Sequence, residues 1–177
     1  IGSLKALEEH GYEVCALAGN STGAVIGALY AAGHPASKIY EIAKNLDYTE
    51  VLTPLATGGL LNQQGLEEML KQHVPETFEE LKIPLAITAV DIQNAELVIM
   101  NSGNLIPAAC ASNSFPGLFG PLELDGRYLM DGGILNNFPV DIIRNITMQP
   151  VFAFDVTPSP RHHLNLEDSK DDPGFFE

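Results

Sequence analysis

The chain has 177 residues, of which 45% are hydrophobic, and its 9 basic and 23 acidic residues give a formal net charge of -14. This composition suits one domain with a buried core, which we predict to span residues 1–160, followed by an acidic polar tail at 161–177. The acidic excess argues against nucleic acid as a partner, because phosphate binding requires a clustered positive surface. No apolar run approaches the ~20 residues that span a bilayer, and the two cysteines, Cys15 and Cys110, are too few for a disulfide framework. We therefore expect a cytoplasmic protein.

Hydrophobic spacing and glycine positions predict the elements of the first half of the chain. In order, these are a helix over 3–10 that ends at Gly11, a buried strand over 12–18, a buried helix over 22–32, amphipathic helices near 39–46 and 66–74, and a loop at Thr57-Gly58-Gly59 between them.

The second half is predicted to contain more strands. These elements are strands over 85–90 and 96–100 joined by a turn at Gln93-Asn94, a short helix over 107–111, a hairpin turn at Asp125-Gly126, a helix that begins at Pro139, and a last strand over 151–156. Helices that alternate with apolar strands indicate an α/β fold whose mainly parallel sheet is covered on both faces.

One motif carries a candidate nucleophile. Gly19-Asn20-Ser21-Thr22-Gly23 matches G-x-S-x-G and lies between a predicted strand and a predicted helix. Such a turn exposes the Ser21 hydroxyl, and we predict that side chains at Gly19 and Gly23 would collide with neighbouring backbone. The Thr22 backbone N–H at the start of the helix is a candidate oxyanion donor.

A serine needs a base to become a good nucleophile, and Asp131 is the first candidate. It follows a short apolar strand and precedes Gly132 and Gly133, which would allow a substrate or the serine turn to come close. An aspartate is a weak base toward serine unless its site is desolvated. A turn aspartate that bonds its own backbone is the alternative interpretation.

Two further alternatives stay open. Ser21, Asp131 and either His162 or His163 have the chain order of an α/β-hydrolase triad, whereas His10 and His34 are predicted to lie at helix ends and His73 on an exposed helix face. The glycine-rich segment 19–27 would alternatively cradle a phosphate at a helix N-terminus in a non-catalytic binding module.

Several segments, taken in order, resemble the patatin-like phospholipase family. They are Leu4-Lys5-Ala6-Leu7-Glu8-Glu9, the Ser21 turn with the helix that follows it to Gly33, Leu81-Lys82-Ile83-Pro84-Leu85, 111–119, Asp125-Gly126-Arg127-Tyr128, and Asp131-Gly132-Gly133 followed by 136–140. Together they cover about residues 1–156 and are far more specific than the pentapeptide.

The resemblance implies a three-layer α/β/α domain with a catalytic dyad, in which Ser21 is the nucleophile and Asp131 the base. It also implies hydrolysis of acyl esters in phospholipids or related lipids, transient contact with a membrane surface, and no metal or organic cofactor. The family's glycine-rich oxyanion loop precedes the first helix, and this sequence begins after that position, so the fragment is expected to lack full activity. Asn20 and Thr22 stand where the family more often has Thr and Ala. No residue in the sequence indicates an oligomeric state.

Overall fold

The computed structural model describes residues 1–46, 53–54 and 61–156 of the chain. In chain order its elements are α1 (Gly2–Glu9), β1 (Leu17–Gly19), α2 (Thr22–Ala31), α3 (Ala36–Lys44), β2 (Thr53–Pro54), β3 (Leu61–Asn62), α4 (Gln64–His73), β4 (Leu85–Asp91), β5 (Glu96–Met100), α5 (Leu105–Ser112), β6 (Leu122–Leu124), β7 (Arg127–Asp131) and α6 (Val140–Ile146). Short 3-10 turns lie at Phe78–Glu80 and Gly132–Ile134. The predicted loop at 57–59, the tail at 161–177, and His162 and His163 lie outside the described residues.

The central sheet is mixed. β1 pairs with β4 in parallel, whereas β5 and β7 pair with β4, and β6 pairs with β7, in antiparallel orientation. The α/β class is confirmed, but among the described strands the sheet is mixed rather than mainly parallel. Two of these antiparallel pairs, β4–β5 and β6–β7, have a local cause, because tight turns after Asp91 and at Asp125-Gly126 return the chain directly beside the strand it has just left.

β1 and β7 share one edge of β4 and run toward each other along it. β1 pairs with Leu85 to Ile87, and β7 pairs with Ala89 to Asp91. The carboxyl ends of both strands therefore meet beside Thr88, and β5 covers the opposite edge of β4. This meeting point places the segments that follow β1 and β7 next to each other.

β4 lies at the centre of the core, and every one of its residues is buried. Because successive side chains of a strand point to opposite faces of the sheet, burial of all of them requires that other elements cover both faces. The main core joins β4 to α2, α4 and α5 through buried side chains such as Ile87, Leu29, Leu70 and Leu105. The predicted buried helix over 22–32 and both amphipathic helices are confirmed, although α3 and α4 both begin and end earlier than expected.

Two strand predictions need correction. The apolar run over 12–18 forms a strand only at Leu17–Gly19, where β4 offers a partner, and no regular strand forms over 151–156. In place of a backbone ladder, the ring of Phe152 packs edge-on against Tyr12 with centroids 5.2 Å apart. An apolar run becomes a strand only where a neighbouring edge accepts its backbone hydrogen bonds. Within the described ranges, no helix has the length and apolar character to cross a membrane.

Candidate active site

Ser21 lies in the turn between β1 and α2, as predicted, and its backbone is strained. Its φ of 51° and ψ of -131° fall in a region that a residue with a side chain rarely adopts, at a cost of about 1 to 3 kcal/mol. The Ser21 N–H donates to Ser112 Oγ at 2.8 Å, and Asn113 Nδ2 donates to the Ser21 carbonyl at 2.9 Å. These two side chains stabilise the strained conformation.

The two glycines that flank the turn differ in their surroundings. A Cβ at Gly19 would lie 2.7 Å from the carbonyl carbon and oxygen of Gly23, so the predicted collision is present there. The same prediction for Gly23 is wrong, because beyond the backbone of its own helix a Cβ at this exposed position meets no atom of the described residues within 4 Å. Gly23 faces outward from the first turn of α2. Thr22 begins that helix, and its N–H has no acceptor within the helix, because the first N–H groups of a helix lie too early for an i−4 partner.

Asp131 ends β7 and is almost fully buried, with 3% of its surface exposed. Its backbone N–H donates to the Ser114 carbonyl at 3.1 Å, and its Oδ1 accepts from the Gly133 N–H at 2.8 Å. Oδ1 thus makes the turn contact expected of an aspartate that caps its own backbone. Oδ2 is buried and has no hydrogen-bond partner within the described part of the chain. Unpartnered buried carboxylate oxygens are rare, and this one is available to accept a proton or hydrogen bond.

The glycines after Asp131 permit close packing. A Cβ at Gly132 would overlap Thr88 Oγ1 and lie 2.6 Å from the Thr88 carbonyl oxygen. A Cβ at Gly133 would lie 2.8 Å from Asn137 Oδ1, 2.9 Å from Asn20 Nδ2 and 3.1 Å from Asp131 Oδ1. The residue before Ser21 and the Asp131 carboxylate therefore meet around Gly133.

The fold brings the Ser21 turn and Asp131 to one place from distant parts of the sequence. Their strands meet end to end beside β4, and Asn20 Nδ2 donates to Asn137 Oδ1 at 3.4 Å across this junction. Because Asp131 Oδ2 has no partner among the residues described, the Ser21 hydroxyl is not hydrogen-bonded to that oxygen in this structure. Catalytic hydrogen bonds in ligand-free enzymes are often long and shorten only when substrate binds.

Residues 1–144 match the profile of the family described as Patatin-like phospholipase. The chain belongs to the patatin-like phospholipase family. It is 34% identical over 164 residues to an uncharacterised NTE family protein of Mycobacterium tuberculosis, an alignment that covers 90% of this chain and 45% of that protein. It is also 34% identical over 170 residues to patatin-like phospholipase domain-containing protein 6 of Homo sapiens, covering 88% of this chain and 12% of that protein.

A solved structure extends the likeness to the fold. The crystal structure of VipD from Legionella pneumophila superposes with a TM-score of 0.60 at 15% identity, covering 76% of this chain and 43% of that chain. This similarity concerns the fold alone. The chain spans less than half the length of the curated patatin-like relatives named above.

The described histidines of this patatin-like domain lie at the ends of helices, away from the turn that carries Ser21. His10 Nδ1 lies 2.8 Å from the Ala6 carbonyl within α1, and His34 Nε2 lies 2.7 Å from the His73 carbonyl at the end of α4. His73 is partly buried rather than fully exposed, and this burial, with the nearby charges of His34 and Lys38, lowers its pKa.

Other chemistry-bearing groups do not gather at the site. In the described ranges no group of three or more His, Cys, Asp and Glu side chains is placed to hold a metal ion. Cys110 is buried in α5, and desolvation raises the pKa of its thiol to about 12, while Cys15 is exposed. Neither cysteine is paired in a disulfide.

Residue-by-residue interpretation of the sequence missed three side chains that shape this patatin-like site. Ser112, Asn113 and Asn137 entered only as parts of the segments that carry the family resemblance, without a role. The available signal was a run of small polar residues, Ser112-Asn113-Ser114, at the end of a buried helix. Their contacts with Ser21 and Asn20 join residues about a hundred positions apart, so local spacing does not reveal them.

Proposed function

We propose that Ser21 and Asp131 form the dyad of a lipid acyl hydrolase that cleaves carboxylic esters of phospholipids or related lipids. Family membership supports lipid hydrolysis in general. The observation that carries the dyad is a strained serine turn beside a buried aspartate whose Oδ2 has no partner among the described residues. An unpartnered carboxylate oxygen in a buried position is the acceptor that removal of the serine proton requires.

The proposed reaction has two steps. Asp131 Oδ2 removes the proton of Ser21 while Ser21 Oγ attacks the ester carbonyl carbon; the protonated Asp131 then gives this proton to the departing alcohol, leaving the acyl group on Ser21. In the second step Asp131 removes a proton from a water molecule that attacks the acyl-serine. The fatty acid leaves and Ser21 regains a proton. The Thr22 N–H and the positive end of α2 would stabilise the oxyanion in both steps.

Exposed apolar side chains near the dyad support a lipid-like substrate. Large hydrophobic residues with 43% to 55% of their surface exposed occur on two segments, one after Ser114 and one after Gly133, and they are Phe115, Leu118, Ile134, Leu135 and Phe138. Both segments follow residues that bond Asp131, so these side chains are available to an acyl chain that approaches the candidate dyad. Given the net charge of -14, transient contact with lipid would depend on apolar burial rather than on attraction to anionic headgroups. The cytoplasmic location stays a prediction.

Labelling with a fluorophosphonate probe tests the proposal, because this probe reacts covalently with an activated serine. We expect the wild type to be labelled and Ser21→Ala to be unlabelled. Asp131→Asn should lower the labelling rate by about 100-fold or more, the usual contribution of a general base. Ser102→Ala, which removes an exposed serine hydroxyl, is the matched control and should be labelled at the wild-type rate.

Two outcomes would favour the alternatives. If the double variant His162→Ala/His163→Ala loses labelling, the triad replaces the dyad, because the dyad requires neither histidine. If the folded wild type is unlabelled but binds inorganic phosphate, the non-catalytic binding module replaces both.

A further inference from the structure

The backbone of Ser21 is held from both sides by adjacent side chains at the end of α5. Ser112 Oγ accepts the Ser21 N–H at 2.8 Å, and Asn113 Nδ2 donates to the Ser21 carbonyl at 2.9 Å. Ser112 is fully buried. These contacts join positions separated by 91 and 92 residues, so they exist only in the folded chain.

The same segment also holds Asp131. The carbonyl of Ser114 accepts the Asp131 N–H at 3.1 Å. Ser114 is in turn fixed by its own side chain, whose hydroxyl donates to the Cys110 carbonyl at 3.2 Å and accepts from Gln63 Nε2 at 2.9 Å. Three consecutive residues, Ser112 to Ser114, therefore contact the backbones of both candidate dyad residues.

The Ser21 conformation explains why such a support is needed. The pairing of β1 with β4 ends at Gly19, so the N–H of Ser21 lies beyond that ladder, and the helix that begins at Thr22 supplies no acceptor for it. Without Ser112 Oγ this N–H would lose its partner, and a relaxed turn would move the Ser21 hydroxyl. The Ser21 carbonyl accepts from Ala24 N–H at 2.9 Å as well as from Asn113, so the Asn113 bond fixes its direction from a second side.

We propose that Ser112 and Asn113 are positioning residues that keep the Ser21 hydroxyl aimed at the ester carbonyl and at Asp131. This inference rests on the proposed hydrolase function. Both residues act through the Ser21 backbone. Their loss should therefore lower the rate of the chemical step and leave the affinity for substrate nearly unchanged.

The test compares Ser112→Ala and Asn113→Asp in the full-length protein. Asn113→Asp keeps the size of the side chain but removes the N–H donor, and Asn101→Asp, at an exposed position, adds the same charge elsewhere. With a short-chain soluble ester, and with active molecules counted by fluorophosphonate titration, we expect kcat to fall about 10- to 100-fold, the scale of a displaced reacting group. KM should stay within about twofold, as expected when only transition-state stabilisation is lost.

The outcomes separate this inference from the proposed function. If the wild type is not labelled by the fluorophosphonate, the hydrolase proposal itself fails. If the wild type is labelled but both variants keep the wild-type kcat per titrated molecule, even with lower thermal stability, Ser112 and Asn113 are merely structural and the inference is overturned. An equal loss in Asn101→Asp and Asn113→Asp would also overturn the role of Asn113.

Discussion

Gly132 and Gly133 are neighbours in sequence, yet they meet different kinds of atoms. A Cβ at Gly132 would press on the backbone of Thr88 in the fully buried strand β4, which has no room to move. A Cβ at Gly133 would meet the ends of the Asn20 and Asn137 side chains, which are able to rotate away. The first glycine is therefore required by packing, and the second by the arrangement of polar groups around Asp131.

We expect Gly132→Ala to destabilise the protein by about 1 to 3 kcal/mol, the usual cost of overpacking a core. The free energy of unfolding, measured with urea, checks this. Gly120→Ala is the matched control, because a Cβ there meets no atom of the described residues within 4 Å, and it should change the free energy by less than about 0.5 kcal/mol. Similar unfolding midpoints for Gly132→Ala and Gly120→Ala would contradict the packing requirement.

At the scale of elements, two histidines connect the end of α2 to the end of α4. His34 follows α2 and lies 2.7 Å from the last carbonyl of α4, that of His73, and the two rings meet edge-on at 6.0 Å. Burial lowers the pKa of His73, and the positive charges of His34 and Lys38 lower it further. The native junction thus favours a neutral His73.

This junction predicts a pH dependence of stability. The unfolded chain takes up a proton on His73 near pH 6.5, while the native chain does so only at lower pH. Between these two pH values the unfolded chain binds more protons, and proton binding therefore stabilises it relative to the native chain. We expect the contribution of His73 to the unfolding free energy to fall as the pH drops below about 6.5 and to level off below the native pKa of this histidine. His73→Gln should show a smaller fall between pH 7.5 and pH 5.5 in urea titrations. A fall of equal size in both proteins would refute the assignment to His73.

How far a sequence predicts such elements depends on whether their causes are local. The Asp125-Gly126 hairpin turn was predictable, because both residues adopt positive φ, 51° and 75°, and these residue types tolerate it. The segment over 151–156 has the composition of a strand but lacks a paired edge in the described structure, and the sequence alone does not contain that information. For the same reason the hydrogen bond from the Ser21 N–H to Ser112 Oγ was not predictable, because these two residues lie 91 positions apart in the sequence.

At the scale of the whole molecule, β4 organises both the core and the candidate site. Its buried side chains pack against α2, α4 and α5. The edge of β4 opposite β5 pairs with both β1 and β7, so that the carboxyl ends of these two strands meet. Stability and the geometry of the candidate dyad therefore depend on the same strand.

A matched pair of isoleucines tests this central role. Ile87 on β4 is completely buried, whereas Ile99 on the adjacent strand β5 is 49% exposed. Ile87→Ala should cost about 2 to 5 kcal/mol through lost burial and a residual cavity, and Ile99→Ala less than about 1 kcal/mol. Thermal and urea unfolding of both variants measure the difference. Equal losses would show that β4 is not the centre of the core.

The contrast between the two cysteines makes one of them a convenient attachment point for a spectroscopic reporter. Cys110 is enclosed and its thiol stays protonated near neutral pH, since its pKa is about 12, so it reacts poorly with maleimides, which attack thiolates. Cys15 is exposed just before β1. A single fluorophore would therefore couple at Cys15 without any engineered mutation in this chain, close to the strand that leads into the Ser21 turn.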